Sequence, residues 1–199
     1  MVTHENLIRY IIIISNNTIP YEIAEYILTF YYSWVFHNLR ELRRGIRMSY
    51  QENCYGEPKF WNVSKITDMS FIFYNRNKEM SQHHLNDPYR YIFRKDISRW
   101  DVSNVKNMDY MFCKSKFDGD ISDWDVSSVT SMNCMFSQSD FNGDVSNWDV
   151  SSVTNMFCLF SNSPYNRDIR KWDVSNLKDK RGMFKGTKLE EEGKIPEWY

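Results

Sequence analysis

The sequence predicts an α+β solenoid, a stack of similar coils preceded by a helical N-terminal cap. Three observations support this fold class: a 24-residue repeat fills most of the chain, apolar residues recur at fixed positions in every copy, and the first 58 residues lack the repeat but carry apolar residues at helical spacing. With 199 residues, of which 42% are hydrophobic, the chain can bury a core, so a disordered chain is excluded.

Tryptophan marks the repeat, and we number each copy from it as position 0. Four copies follow one another without a gap, and each carries Asp at +1, Val at +2 and Ser at +3. Their tryptophans are Trp100, Trp124, Trp148 and Trp172. An earlier copy contains Trp61 and is followed by a 15-residue insertion at about 77–91, and a partial copy ends at Trp198. The sequence therefore predicts an N-terminal segment, 1–58, and a repeat region, 59–199.

Each copy is predicted to contain a short strand and a short helix. Val or Leu at +5, Met at +8 and Phe at +12 have the i, i+3, i+7 spacing of one helical face, and Ser at +3 is well placed to cap that helix. The stretch from −7 to +2 is rich in Ile, Val and Trp and bends at Gly119 or Gly143, which predicts strand and turn. The period lies in the leucine-rich-repeat range, so we expect leucine-rich-repeat-like stacked coils.

A single copy of the repeat cannot fold alone. Six or so buried apolar side chains at roughly 1.5–3 kcal/mol each do not offset about 1.5 kcal/mol of ordering entropy for each residue of the copy. Stacking solves this problem, and it predicts ladders of Trp, Met and Phe through the core. At the far end, Lys180 in place of Met and Pro196 are predicted to blunt the open edge.

The N-terminal segment is predicted to be helical from Pro20 onward. Its apolar face comprises Ile23, Ile27, Phe30, Trp34 and Leu39. A basic run, interpreted as a solvated helix face, comprises Arg40, Arg43, Arg44 and Arg47. We interpret the segment as a helical cap or a small domain.

Charge and hydropathy exclude several classes of function. Lys and Arg number 25 against 26 Asp and Glu, so no basic face for nucleic acid is expected. The N-terminal stretch has a short apolar run but carries Glu5 and Arg9, so it is too short to span a bilayer and is a poor signal peptide. We therefore expect no membrane span, an intracellular (cytoplasmic) location and reduced cysteines.

Patterns for catalysis and metal binding are nearly absent. The four histidines, His4, His37, His83 and His84, lie outside the regular repeats, so no nucleophile–base pair is suggested. Residues 117–125 are rich in Asp but lack the ligand spacing of an EF-hand, and we interpret the Asp side chains as acceptors for turn amides. We expect no enzyme activity, no cofactor and no metal site.

Two cysteines occupy the same position in neighbouring copies. Cys134 and Cys158 stand at +10, where other copies carry Phe71 and Tyr110. Because this position takes aromatic residues, we predict that it belongs to the core. The two thiols are then expected to lie side by side, buried and unbonded.

The motif W-D-V-S-x-V-x-x-M-x-x-M-F, followed by F-x-G-D-[IV]-S, resembles the BspA-like leucine-rich-repeat surface-protein family, known from mycoplasma and other bacterial surface lipoproteins. The resemblance covers about 140 residues and implies a non-enzymatic protein used for adhesion or protein binding. Bacterial members are usually exported, whereas we expect no export signal in this chain. Similar repeats occur in large DNA viruses and protists, which suits an intracellular or virion protein.

Residues 19–28 are similar to the opening of an F-box, which would imply an adaptor that docks to a ubiquitin ligase. Three functions therefore stay open: a repeat protein for protein–protein interaction or structural assembly, an F-box-like substrate adaptor, and a minor structural protein of a large DNA virus particle. Each implies protein partners, and the last implies a larger assembly.

Position −1 is the candidate partner-binding site. Its chemistry changes from copy to copy while the neighbouring positions are nearly constant, and its residues are Arg99, Asp123, Asn147 and Lys171. In stacked copies these residues would form one stripe beside the predicted strands. Variation on a fixed frame is how repeat proteins acquire a specific binding surface.

Overall fold

The computed structural model describes residues 20, 35–51, 57–74 and 93–199. Within them, helix α1 spans Leu39–Gln51, a 3₁₀ helix spans Pro58–Phe60 and helix α2 spans Lys188–Glu191. The F-box-like stretch apart from Pro20, the apolar helical face up to residue 34 and the insertion at 77–91 lie outside the described residues.

The predicted α+β solenoid, with a strand and a helix in each leucine-rich-repeat-like coil, is wrong. Between residues 93 and 187 the chain forms consecutive turns and irregular segments, and the described residues contain no strand. Neighbouring copies are joined at position +7 by isolated parallel bridges instead. The bridges pair Asp68 with Asn107, Asn107 with Ser131, Ser131 with Asn155 and Asn155 with Asp179.

Left-handed backbone at two positions of each copy explains why no helix forms there. Positive φ values occur at +10, in Phe71, Tyr110, Cys134, Cys158 and Gly182, and at +14, in Lys114, Gln138, Asn162 and Gly186. A left-handed residue ends a right-handed helical turn. The segment therefore forms separate turns. One of them is closed by the hydrogen bond from the Met135 N–H to the Met132 carbonyl at 3.2 Å. Ser at +3 caps no helix, and Ser127 donates to the Asp125 carboxylate at 2.6 Å.

Backbone hydrogen bonds join each copy to the next in register. The N–H groups at +8, +10, +12 and +14 donate to carbonyls at +7, +9, +11 and +13 of the following copy. For the central pair of copies these bonds run from Met132 to Asn155 (2.9 Å), Cys134 to Phe157 (2.8 Å), Phe136 to Leu159 (2.9 Å) and Gln138 to Ser161 (2.8 Å). Alternate N–H groups thus bind the neighbour, so consecutive copies lie side by side.

Aromatic side chains stack along the core, as the repeat predicts. Neighbouring rings at +12 have centroids 5.2, 5.7, 5.6 and 6.3 Å apart along Phe73, Phe112, Phe136, Phe160 and Phe184. The predicted burial of tryptophan is confirmed, since Trp100, Trp124, Trp148 and Trp172 are at most 4% exposed. Each indole N–H donates to the carbonyl at −3 of the preceding copy, as Trp148 does to Ile121 at 3.1 Å.

Helix α1 covers the first copy. It buries Leu42, and the Phe36 ring just before it lies 5.0 Å from the Trp61 ring. Arg43 Nη2 donates to the Ser70 carbonyl at 2.9 Å. Ser70 stands at position +9, and in later copies the carbonyl at this position accepts a hydrogen bond from an N–H group of the preceding copy. Burial lowers the pKa of Arg43. The interpretation of the basic run as a solvated face is therefore wrong for this residue.

The last full copy is covered by the C-terminal residues. Lys180 Nζ donates to the Trp198 carbonyl at 2.6 Å. The Phe184 ring contacts the rings of Trp198 and Tyr199, with centroids 6.1 and 5.0 Å away. A lysine at +8 is thus accommodated here because its ammonium group reaches an acceptor at the end of the stack.

We expect Tyr165→Phe to raise the free energy of unfolding by about 1 kcal/mol. Tyr165 occupies position −7, where Phe93, Phe117 and Phe141 stand in other copies, and its buried hydroxyl has no hydrogen-bond partner among the described residues. Phe keeps the ring, whose centroid lies 3.8 Å from that of Phe160, and removes the orphan hydroxyl. Urea denaturation measures the change, and a loss of stability would show that the hydroxyl has a partner such as a buried water.

Candidate functional site

Each residue at position −1 is presented by a tight turn next to a buried tryptophan. In the copy of Trp124, the Trp124 N–H donates to the Ile121 carbonyl at 3.2 Å and closes a turn that contains Asp123. The tryptophan points into the core, so the residue before it faces solvent. Arg99, Asp123, Asn147 and Lys171 are all exposed, at equivalent places on successive copies.

The row at position −1 has a fifth member that the sequence comparison missed. Phe60 stands at −1 of the first copy, at the end of the 3₁₀ helix, and is half-buried. The Arg99 guanidinium lies over its ring at 5.6 Å and Lys59 Nζ at 4.8 Å. Applying the same offset to the copy of Trp61 would have identified Phe60. The row therefore runs from an aromatic residue through Arg, Asp and Asn to Lys.

Aspartates flank the row on both sides, at positions −4 and +1. We call the segments that contain the row and its flanks the turn face, which comprises residues 96–101, 120–125, 144–149 and 168–173. These segments hold nine Asp and three basic residues, Arg99, Arg170 and Lys171. The turn face is therefore acidic, with its cations at the two ends.

Hydrogen bonds from turn amides hold these aspartates, which confirms their interpretation as turn acceptors. The Ser122 N–H donates to Asp120 at 3.0 Å, and the Ser127 N–H donates to Asp125 at 3.0 Å. Bonds from the Ser122 backbone and side chain lower the pKa of Asp120, and bonds from the Ser127 side chain and backbone lower that of Asp125. Both carboxylates are thus ionised at neutral pH and available for ionic contacts.

The +10 row lies on a different part of each copy and is less buried than predicted. Phe71 is 39% exposed, Tyr110 and Cys158 are half-buried, and only Cys134 is buried, at 7%. The prediction that this position belongs to the core is therefore wrong for Phe71. Burial raises the pKa of the Cys134 thiol to about 11. The described cysteines, Cys113, Cys134 and Cys158, are free.

The turn face offers ionic and hydrogen-bonding contacts, and Phe60 adds an aromatic one at the end of the row. Within the described ranges, no three or more His, Cys, Asp or Glu side chains are grouped so that they could hold a metal ion. His37, the one histidine inside those ranges, lies beside α1, and its backbone N–H donates to the Glu41 carboxylate at 2.9 Å. It lies on a different element from the turn face.

Comparison with known protein families matches residues 36–87 and 78–198 to a family described as "Mycoplasma protein of unknown function, DUF285". The chain belongs to this family. The DUF285 match includes α1, the first copy and all four segments of the turn face. The match to a mycoplasma family agrees in kind with the resemblance to mycoplasma surface proteins, and the finer assignment to the BspA-like family stays a prediction.

No curated protein and no solved structure matches the chain. None of the helices in the described part of the chain is both long and apolar enough to cross a membrane.

Proposed function

We propose that this protein is a non-enzymatic repeat protein that mediates protein–protein interaction or structural assembly, and that the row at position −1 is its contact surface. The observation that carries this proposal is the row itself: Arg99, Asp123, Asn147 and Lys171 are exposed at equivalent places, each beside a buried tryptophan. A rigid frame with varied exposed residues suits the recognition of one partner.

The charge pattern of the turn face suits a partner of mixed charge. Basic groups of a partner would face the flanking aspartates, while acidic groups would face Arg99 at one end and Lys171 at the other. Matching patterns of this kind give specificity and fix the register of a complex. The resemblance to BspA-like surface proteins supports the same general role of adhesion or protein binding.

The alternatives drawn from the sequence differ in the identity of the partner. An F-box-like adaptor would co-purify with a ubiquitin-ligase subunit, and a minor component of a large DNA virus particle would co-purify with capsid proteins. We place the protein inside the cell or in the virion. Cross-linking of the native complex followed by mass spectrometry identifies the partner and the residues in contact.

Reversal of the two cations tests the contact surface. We expect the double variant Arg99→Glu, Lys171→Glu to weaken capture of the cross-linked partner about tenfold, equivalent to about 1.4 kcal/mol, because it replaces both cations of the row at position −1 by carboxylates. The melting temperature should stay nearly unchanged, since both side chains are exposed.

The matched control is the double variant Lys106→Glu, Lys178→Glu, which makes the same change in net charge at two exposed lysines of position +6. It should capture the partner as the natural protein does. Equal capture by both double variants and the natural protein would show that the row at −1 is only solvated surface.

A further inference from the structure

We propose that Cys134 and Cys158 form an oxidation site, at which a small disulfide such as oxidised glutathione converts the two thiols into a disulfide bond between neighbouring copies. The proposal concerns the +10 row and is independent of the turn face.

The register of the stack places the two cysteines directly beside each other. Both have φ of 52°, and each N–H donates to the residue at +9 of the following copy: Cys134 to Phe157 at 2.8 Å and Cys158 to Arg181 at 3.0 Å. Parallel backbone pairing of the kind that joins neighbouring copies holds chain segments about 4.7–4.9 Å apart. This spacing lies within the separation of Cα atoms, about 4.4–6.8 Å, that a disulfide spans.

Side chains at neighbouring +10 positions also come within contact distance of each other. Gly182 follows Cys158 in the +10 row, and a Cβ atom built on it would lie only 2.9 Å from Cys158 Sγ. Cys134 has the same φ one copy earlier, and the two thiols are close enough for Cys158 to affect the pKa of Cys134.

The different environments of the two thiols set the order of reaction. Cys158 is half-buried, next to a glycine that leaves space over its sulfur, and Arg181 is close enough for the two groups to interact electrostatically. Cys134 is buried, and burial holds its proton in place. Cys158 is thus the thiol that meets an external oxidant, and Cys134 is the one that resolves the product.

The reaction proceeds by two thiol–disulfide exchanges. The Cys158 thiolate attacks one sulfur of oxidised glutathione, forms a mixed disulfide and releases one glutathione thiolate. Cys134 then loses its proton, attacks Cys158 Sγ and expels the second glutathione thiolate. Two protein thiols are oxidised to one disulfide, and one oxidised glutathione is reduced to two thiols.

The test uses the full purified chain, incubated with oxidised glutathione, alkylated and mapped by mass spectrometry. We expect a cross-linked peptide that joins Cys134 to Cys158, with the loss of two hydrogen atoms from the protein. Because the bond closes a 24-residue loop between the copies, the melting temperature of the oxidised protein should rise and return on reduction.

Variants separate the two steps. Cys134→Ser should stop at a glutathione adduct on Cys158, whereas Cys158→Ser should react at least tenfold more slowly at position 134. Cys113→Ser is the matched control, because Cys113 is buried near Cys134 but lies outside the +10 row, and it should form the bond as the natural protein does. A cross-link from Cys134 to Cys113, or no cross-link under conditions that oxidise dithiothreitol, would overturn the proposal.

Discussion

Trp148→Ala is expected to lower the free energy of unfolding by about 3–5 kcal/mol. Trp148 is 4% exposed, its ring centroid lies 6.3 Å from that of Phe136, and its indole N–H donates to the Ile121 carbonyl of the preceding copy. Alanine removes the ring and leaves a cavity between two copies, and it also removes the hydrogen bond by which the indole joins the Ile121 carbonyl of the preceding copy.

Chemical denaturation measures this loss, with the adjacent exposed residue as the control. Asn147→Ala should change the free energy of unfolding by less than about 0.5 kcal/mol, because Asn147 lies on the surface of the same turn. A loss below about 1 kcal/mol for Trp148→Ala would contradict the role of tryptophan in joining the copies.

The period and the buried positions could be predicted from the sequence because they depend on residue type alone. Trp at 0, Val at +5, Met at +8 and Phe at +12 are large and apolar in nearly every copy, and the structure buries them in one continuous core. Burial of an apolar side chain is favourable in any backbone conformation. The burial of these four positions was therefore predicted correctly, although the secondary structure and the burial of position +10 were not.

The predicted helix was wrong because the spacing of the apolar residues on which it rested has a second explanation. Apolar residues at +5, +8 and +12 also face one side when the chain makes successive turns with left-handed residues at +10 and +14. These positions carry residues such as Tyr110, Cys134 and Gln138, for which a positive φ is uncommon. Among these positions, Gly182 and Gly186 of the last copy and Asn162 have residue types that favour this conformation. Hydrogen bonds to the next copy compensate for the strain, and such long-range bonds cannot be seen in one repeat.

The exposure of the candidate site could be predicted, whereas its surroundings could not. The alternation of a constant Trp with a variable residue before it indicated a buried and an exposed position. Phe60 was missed because the first copy was recognised from Trp61 onward, and the residues before Trp61 were not compared with those before the other tryptophans. The contact between Arg99 and Phe60 joins two copies that do not follow one another at the regular 24-residue spacing, so the repeat alone did not predict it.

We expect Met132→Lys to lower the free energy of unfolding by about 3–5 kcal/mol, because it places a charge without a partner in the core. Met132 is fully buried at +8, and the equivalent residues of the neighbouring copies, Met108 and Met156, are fully buried as well. Met132 belongs to the cluster of buried apolar residues, whereas Lys180 reaches the Trp198 carbonyl at the end of the stack.

The reciprocal change, Lys180→Met, provides the matched control for the same pair of residue types at the same position. It removes one hydrogen bond to Trp198 and adds apolar contact at the end of the stack, so the free energy of unfolding should change by no more than about 1 kcal/mol. Urea denaturation of both variants measures the difference between them. If the two substitutions had equal effects, position +8 would be no more enclosed in the middle of the stack than at its end, and the mutual burial of neighbouring copies would not be the source of stability.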